Sequence, residues 1–240
     1  MRDRPVWYMQ TDPRWADENY SAPGEKTTIR AEGCGPTSAA MVVATLVDPS
    51  ETPLKAARWA LQHGYKAKNQ GTYYSFFVPY FKRFGLKCRQ LTTSSIYHNP
   101  RSAVHKRVLQ ELRKGNFIIA CMGKGIWTTS GHYVLAYAVD YRRVYINDPW
   151  SRKDMCHCNL IETWQNQVKH YWVIEIPQKE KEDDEVVENK KIAVLGKDIK
   201  IPTIFKNGTN YVSIRAICEA LGLDVTSEGK EPIVSMSIYG

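Results

Sequence analysis

The sequence lacks the patterns that mark membrane proteins and standard secreted proteins. Its 240 residues contain no apolar run of about eighteen residues or more, which a membrane-spanning helix requires. The N-terminal stretch, MRDRPVWYMQTDPRW, has no apolar core of the kind found in secretory signal peptides. We therefore expect no membrane span, and we expect synthesis in the cytoplasm of a bacterium or of a host cell.

Patterns for nucleotide binding and for a disulfide framework are missing as well. There is neither a G-x-x-x-x-G-K-[ST] loop nor a G-x-G-x-x-G turn after a predicted strand, so nucleotide chemistry is not supported. The cysteines are scattered, and a chain of this length can build a core without disulfides. We expect reduced thiols at all six positions, which are Cys34, Cys88, Cys121, Cys156, Cys158 and Cys218.

Positive charge is concentrated in the first three quarters of the chain. Residues 1–176 contain 24 Lys and Arg against 14 Asp and Glu, a net charge of +10, whereas residues 177–240 contain 9 against 11, a net charge of −2. Such a field favours an anionic partner, which could be nucleic acid, anionic lipid or an anionic cell-wall polymer. Alternatively, the positive charge belongs to a solvated surface that binds no partner.

A charged segment divides the chain into two modules. The stretch PQKEKEDDEVVENKK, residues 177–191, opens with proline and has too little apolar content to pack, which predicts a linker. It separates a domain at residues 1–176 from a module at residues 192–240. In the second module, short strands around KNGTN precede an amphipathic helix at about 213–221.

The larger module changes from helical to strand patterns along its length. Amphipathic spacing predicts helices at about 36–47, 54–63, 73–84 (broken by Pro79) and 101–114, and the last three end at glycines. The runs NFIIACMG, GHYVLAYAV, RVYIND and YWVIEI then predict an antiparallel sheet. Helices followed by strands indicate an α+β domain.

Cys34 stands at a predicted junction between a loop and a helix, in RAEGCGPTSAAMVVATL. Gly33 and Gly35 permit a tight turn, and Pro36 suits the first position of a helix. The helix N-terminus favours the thiolate form, which is the nucleophile. The alternative is a small buried side chain without chemistry, as most lone cysteines are.

Two further residues could complete a cysteine-protease site. His132 opens an apolar strand in SGHYVLAYAVD, and Asp148 ends the next strand in VYINDPW. Neighbouring strands of a hairpin could bring the two side chains to one edge of the sheet, with the imidazole as general base and the carboxylate orienting it. Alternatively, His132 is structural and NDPW is an ordinary turn. Asn147 competes with Asp148 for the orienting role.

Four motifs in this order resemble the papain-like cysteine peptidases of the bacteriocin-processing (double-glycine leader) type and their cell-wall-associated relatives. They are YMQTDPRWA, GCGPTSAAMV, SGHYVLAYAVD and YINDPW, within residues 5–176. The resemblance implies a papain-like fold and amide hydrolysis through an acyl-enzyme. It implies Cys34 as nucleophile, His132 as general base, Asp148 as orienting acid and Gln10 as oxyanion donor.

The second module resembles the small domain named after the N-terminal domain of copper amine oxidases, in GKDIKIPTIFKNGTNYVSIRAICEALGLDV. Copper is not implied, because residues 192–240 contain no histidine and one cysteine. We expect attachment to a polymer, with Phe205 and Tyr211 either stacking on sugars or forming the core. In MCHCN, Cys156, His157 and Cys158 are too close together for a zinc site without distant ligands. We expect no cofactor and no metal.

Together these features predict a peptidoglycan hydrolase of the endolysin kind, from phage or bacterium. It would cut an amide bond of the cell wall, as an endopeptidase or as an N-acetylmuramoyl-L-alanine amidase, and the basic domain would attract anionic wall polymers. We expect no nucleic-acid partner. A leader-peptide-processing peptidase and a non-catalytic protein that binds an anionic polymer are the alternatives.

Overall fold

The computed structural model describes residues 4–177, 187–194, 197–206, 209–228 and 231–235. The chain divides into two compact units, Met1–Pro177 and Gln178–Gly240. No helix in the described ranges is long and apolar enough to cross a membrane. In the described part of the chain all six cysteines are free.

The first unit combines helices with an antiparallel sheet. Its helices are α1 (Ile29–Glu32), α2 (Cys34–Leu46), α3 (Pro53–Gln62), α4 (Phe77–Lys82), α5 (Ala103–Arg113), α6 (Asp154–His157) and α7 (Ile161–Gln167). Its strands are β1 (Lys66–Ala67), β2 (Gly71–Thr72), β3 (Cys88–Gln90), β4 (Phe117–Met122), β5 (His132–Val139), β6 (Arg143–Asn147), β7 (Cys158–Leu160) and β8 (Val168–Ile174). A 3₁₀ turn at Tyr74–Phe76 precedes α4.

Six strands form the main sheet in the order β3-β8-β4-β5-β6-β7, and β1 and β2 form a separate hairpin. Strand β4 is buried throughout. Its alternate side chains, Phe117 and Ile119 against Ile118 and Ala120, belong to two different apolar clusters. Because side chains alternate along a strand, the sheet is covered on both faces.

The helix that starts at Cys34 lies in the middle of one of these clusters. All residues of α2 from Gly35 to Ala44 are buried, and α2 packs against α3 and β5. An apolar sequence without a polar face, here AAMVVA, is what a fully buried helix requires. The start of α2 is therefore held rigidly against the sheet.

The predicted α+β class is confirmed, with differences at helix starts. Helix α2 begins at Cys34, so Pro36 is its third residue and not its first as expected. Pro79 is likewise the third residue of α4. Proline is tolerated at both places because the N–H groups of the first turn have no partner within a helix. Helices α6 and α7 and strands β3 and β7, together with the β1–β2 hairpin, were not predicted.

The second unit contains β9 (Val187–Val194), β10 (Lys197–Lys206), β11 (Thr209–Val212), α8 (Ile214–Leu221), β12 (Asp224–Glu228) and β13 (Glu231–Ser235). Strands β9, β10 and β11 form one antiparallel sheet, and β12 pairs with β13. Residues 187–191, which the charge pattern predicts to be part of the linker, lie in β9. Tyr211 is half exposed, whereas the side chain of Phe205 lies outside the described part.

Candidate active site

Cys34 occupies the N-terminal end of α2, half-buried beside a cleft. The backbone N–H of Thr37 donates to the carbonyl oxygen of Gly33, which closes the first turn. The N–H groups ahead of Thr37 have no acceptor within the helix, and they give this end a positive partial charge. This partial charge favours a negatively charged oxygen next to Cys34.

Gly35 follows the thiol because nothing larger fits. A Cβ atom built on Gly35 would lie 2.7 Å from Oγ1 of Thr72 in β2. Oγ1 of Thr72 is also 2.7 Å from the hydroxyl of Tyr20, so a close polar contact fixes the threonine there. The start of α2 and the β1–β2 hairpin are therefore in direct contact next to Cys34.

His132 and Asp148 form a buried pair at the sheet edge. Leu135 of β5 pairs with Asn147 of β6, which brings the start of β5 and the residue after β6 to the same end of the sheet. Nε2 of His132 is 2.7 Å from Oδ1 of Asp148, and both residues are buried. The backbone N–H of Trp150 also donates to Oδ1 of Asp148, at 2.8 Å.

Cys34 and His132 line the same cleft, and the interaction with Cys34 raises the pKa of the imidazole. Because Nε2 of His132 contacts Asp148, Nδ1 is the ring nitrogen left for Cys34. Burial lowers the pKa of His132, but the interactions with Asp148 and Cys34 outweigh burial and raise that pKa to about 10. Cys34, His132 and Asp148 thus lie together, and the raised pKa keeps the imidazole of His132 protonated at neutral pH.

Asn147 does not contact the imidazole. Its Nδ2 donates to the carbonyl oxygens of Pro5 and Val6, and its Oδ1 accepts from Nε of Arg4 at 2.7 Å. This geometry favours Asp148 in the orienting role, and it shows that Asn147 holds the N-terminal segment.

Residues of the N-terminal segment form hydrogen bonds with the backbone of Asp148 and of the residue that follows it. Nε1 of Trp7 donates to the backbone carbonyl of Asp148 at 2.9 Å, and the backbone N–H of Gln10 donates to the carbonyl of Pro149 at 2.8 Å. His157 packs edge-on against the Trp7 ring. Position 148 is therefore fixed by contacts from a segment far away in the sequence.

Gln10 is not among the residues that line the cleft. Its Nε2 donates to the carbonyl oxygen of Arg30 at 2.7 Å and approaches that of Ile29 at 3.4 Å. The side chain is buried, and its Oε1 has no hydrogen-bond partner among the described residues. In this arrangement Gln10 holds the segment that leads to Cys34, and the oxyanion role stays a prediction that requires its amide to turn away from these carbonyls.

The cleft next to Cys34 and His132 has a volume of about 570 Å³. One wall is the β1–β2 hairpin and the residues that follow it, and the other is the start of β5 together with β4 and β8. It is lined by Ala31, Glu32, Cys34, Ala67, Asn69, Gln70, Gly71, Thr72, Tyr73, Tyr74, Cys121, Ser130, Gly131, His132, Tyr133 and Lys169. Tyr73 and Tyr74 are about half exposed and offer aromatic faces to a substrate.

Cys121 is a second cysteine in this cleft, but it is not a second nucleophile. Burial raises the pKa of the Cys121 thiol to about 12, and its Sγ is 3.9 Å from the hydroxyl of Tyr74. A thiol with such a pKa is protonated at neutral pH and reacts slowly. Cys34 is the cleft cysteine that interacts with His132.

A buried ion cluster holds the hairpin wall of the cleft. Nζ of Lys66 contacts Oε1 of Glu25, Oε2 of Glu32 at 2.6 Å and the carbonyl oxygen of Ala67 at 2.7 Å. The hydrogen bond from Lys66 lowers the pKa of Glu25 to about 2. Lys66 is 41 residues from Glu25 in the sequence, and no motif links the two, so the sequence alone gives no sign of the cluster.

The residues Cys156, His157 and Cys158 do not fit a metal site. Cys156 is buried, and the ring nitrogens of His157 lie 3.0 Å from the carbonyl oxygen of Ile146 and 2.5 Å from that of Ser151. Across the described ranges, no group of three or more His, Cys, Asp or Glu residues is arranged to hold a metal ion. The nucleophile, base and orienting acid are all supplied by side chains.

A thiol at a helix N-terminus, facing an imidazole that a buried carboxylate orients from the adjoining strand, is the arrangement of a papain-like cysteine peptidase. Residues 8–175 match the Peptidase_C39 like family. The chain belongs to this family and is a cysteine peptidase that hydrolyses peptide bonds.

Three solved structures to which this chain is similar are peptidases. A double glycine motif protease from an AMS/PCAT transporter, in complex with the leader peptide, is 17% identical, with 72% of this chain and 92% of that chain covered and a TM-score of 0.43. A C39-like peptidase from Bacillus anthracis is 14% identical (72% and 98% covered, TM-score 0.45). The peptidase domain of Streptococcus ComA, a bifunctional ABC transporter of a quorum sensing pathway, is 19% identical (62% and 93% covered, TM-score 0.42). No curated protein matches this sequence.

Proposed function

We propose that this peptidase hydrolyses amide bonds in bacterial peptidoglycan, in the manner of an endolysin. The observation that carries the proposal is the charge of the catalytic part of the chain, +10 over residues 1–176. Gram-positive walls are anionic, because they contain teichoic acids and free carboxylates. A strongly basic enzyme is attracted to such a polymer and concentrates on it.

The second unit fits attachment to the same polymer. It is compact by itself, and its sequence begins with the charged segment. Tyr211 exposes about half of its surface and is available to stack on a sugar ring. We propose that this unit, with its resemblance to the small domain of copper amine oxidases, keeps the enzyme on the wall between cleavage events.

The mechanism follows from the placement of Cys34 beside His132 and from the contact of His132 with Asp148. The thiolate of Cys34 attacks the carbonyl carbon of the scissile bond, and the protonated imidazole gives its proton to the leaving amine. Neutral His132 then takes a proton from water, which attacks the thioester and releases the acid. Asp148 keeps Nε2 protonated and the ring oriented through both steps. The N-terminal N–H groups of α2 stabilise the oxyanion.

Leader-peptide processing is the second candidate, and family membership supports it more directly than it supports wall hydrolysis. The motifs that define the family here resemble bacteriocin-processing peptidases, and the match covers residues 8–175. Such an enzyme would cut one bond of a short peptide. A non-catalytic polymer-binding protein does not fit a peptidase family and a complete triad.

One experiment separates the two candidates. Wild-type protein and Cys34→Ala are incubated in parallel with purified Gram-positive peptidoglycan and with a synthetic peptide that contains a double-glycine site. Mass spectrometry identifies the products. The proposal requires soluble wall fragments from the wild type alone, and the fragments identify the bond that is cut. Cleavage of the peptide with an intact wall would replace wall hydrolysis by leader processing.

A further inference from the structure

Two side chains of opposite charge line the cleft that holds Cys34 and His132. Glu32 lies in α1, two residues before the nucleophile, and Lys169 lies in β8. Glu32 is therefore on the helix side of the cleft and Lys169 is on the sheet side. Neither residue takes part in the proposed chemistry, so their charges are available for binding a substrate.

Glu32 differs from its neighbour Glu25 in how its oxygens are used. Both oxygens of Glu25 accept hydrogen bonds, from the backbone of Ala22 and Asn69 and from Lys66, and its side chain is 5% exposed. In Glu32, Oε2 accepts from Lys66 and from the backbone of Gly71 at 3.2 Å, and the side chain is 24% exposed. Oε1 of Glu32 accepts no hydrogen bond among the described residues. It is the oxygen that a ligand could reach.

The ion cluster leaves negative charge at this side of the cleft. Lys66 carries one positive charge and contacts both carboxylates, Glu25 and Glu32. All three N–H donors of this ammonium have an acceptor, because it also donates to the carbonyl oxygen of Ala67. One negative charge is therefore left uncompensated, and Glu32 is the member of the cluster that faces the cleft.

Lys169 provides the opposite charge on the other wall. Its Nζ donates to the carbonyl oxygen of Ser130 at 3.2 Å and would lie 3.8 Å from a Cβ atom built on Gly131. An ammonium has three donors, so two remain after this bond. No carboxylate in the described ranges forms an ion pair with Lys169. An anionic group in the cleft can therefore approach the ammonium beside His132.

We infer that Glu32 and Lys169 select a substrate that carries an amino group on the helix side of Cys34 and a carboxylate on the sheet side. The inference rests on the proposed function, and it narrows the substrate to the stem peptides of the wall. Stem peptides combine free amino groups of diamino acids with free carboxylates, whereas the sugar beside the amidase bond has no cationic group. The enzyme is thereby an endopeptidase, and complementary charges fix the direction in which the peptide binds.

The first test measures the charge preference of the cleft without any substrate. Cys34 is labelled with two methanethiosulfonate reagents of similar size, one ending in trimethylammonium and the other in sulfonate. Peptide mapping by mass spectrometry follows labelling at Cys34 alone. The ratio of the two rates is independent of the thiolate fraction, because both reagents attack the same thiolate.

Glu32→Gln keeps the hydrogen-bond geometry and removes the charge, so it should lower the cation-to-anion ratio about fivefold. Lys169→Gln should raise the ratio by a similar factor. Glu162→Gln in α7 and Lys106→Gln in α5, both at exposed positions outside the cleft, are matched controls and should not change it. Equal ratios in the wild type and in Glu32→Gln would overturn the inference.

The second test uses walls whose free amino groups have been acetylated. Wild-type enzyme should release peptides from acetylated wall about fivefold more slowly than from untreated wall. Glu32→Gln should release peptides from the two walls at equal rates, both lower than the rate of the wild type on untreated wall. Equal release from both walls by the wild type would refute the role of Glu32. No release from untreated wall would refute the proposed function, and the labelling ratio would then still decide whether the cleft selects by charge.

Discussion

Nε2 of His132 lies 2.7 Å from Oδ1 of Asp148, with both residues shielded from solvent. This contact uses the ring nitrogen that points away from Cys34, so it fixes both the tautomer and the direction of the imidazole. The pair therefore determines whether the thiol has a proton acceptor. The first predictions below depend on this contact.

Cys34→Ala should abolish hydrolysis and leave the protein folded. No other thiol in the cleft can form the acyl intermediate, since Cys121 has a pKa of about 12. We expect a loss of about 10³-fold or more in turbidity reduction of a Gram-positive cell suspension. Circular dichroism of both proteins serves as the control for folding, and substantial lysis by the mutant would contradict the assigned nucleophile.

Asp148→Asn should mainly impair catalysis, whereas Asn147→Ala should mainly lower the stability of the fold. Asp148→Asn should lower kcat by about 10²- to 10⁴-fold, because the amide favours the wrong tautomer of His132. Asn147→Ala should lower the free energy of unfolding by about 1–3 kcal/mol, because the carbonyls of Pro5 and Val6 lose their donor, and should spare kcat in the folded fraction. If Asn147→Ala had the larger effect on kcat, the orienting role would belong to Asn147.

The pH above which the enzyme loses activity and stability should depend on Asp148. The pKa of His132 is raised from 6.5 to about 10, so its protonation stabilises the folded state fully below pH 6.5 and this contribution is lost as the pH rises through about 10. Asp148→Asn should lower the pKa of His132, and the decline of kcat/KM with rising pH should begin earlier. Denaturant titrations at pH 7 and pH 10 should show a smaller alkaline loss of stability in the variant than in the wild type. Equal losses would contradict the assigned coupling.

A chelator should not reduce activity. The triad needs no metal, and the ring nitrogens of His157 already lie within hydrogen-bond distance of backbone carbonyls. The assay is run with EDTA in the presence of a reductant that protects Cys34. Activity that falls with EDTA and returns with zinc would show that Cys156, His157 and Cys158 hold a metal after all.

A chain that ends at Pro177 should be folded and active but should bind walls less well. The cut follows the hydrogen bond from the backbone of Ile176 to Asn116, which keeps the end of the first unit intact. Attraction by the basic unit is screened at high salt, where the Debye length falls to about 3 Å at 1 M. At high salt the short form should leave sedimented walls while the full chain stays bound. Equal co-sedimentation would show that the second unit is not an attachment module.

The fold class and the reactive residues could be predicted because their signals are local. Glycines around Cys34 and the ends of two apolar strands at His132 and Asp148 appear within short windows of sequence. The start of α2 was placed two residues late, since proline fits the third position of a helix as well as the first.

The supports of the site could not be predicted, because their partners are distant and follow no period. Lys66 meets Glu25 across 41 residues. The sequence indicates Gln10 as a candidate residue but does not give the position of its side chain. In the folded protein the amide of Gln10 contacts the carbonyl oxygens of Ile29 and Arg30, and this contact cannot be read from the sequence. The distribution of charged residues along the sequence does not distinguish Glu32 or Lys169 from the other charged residues.

The bond from Trp7 to the carbonyl of Asp148 joins residues 141 positions apart. During synthesis the first of them leaves the ribosome long before the second, so the support for the catalytic carboxylate cannot form on a partial chain. Contacts of such separation also slow folding, because a long loop must close before they form. A ribosome-bound intermediate that ends before residue 148 would have its thiol exposed and no oriented base. The catalytic triad is thus complete only when nearly all of the first unit has been synthesised.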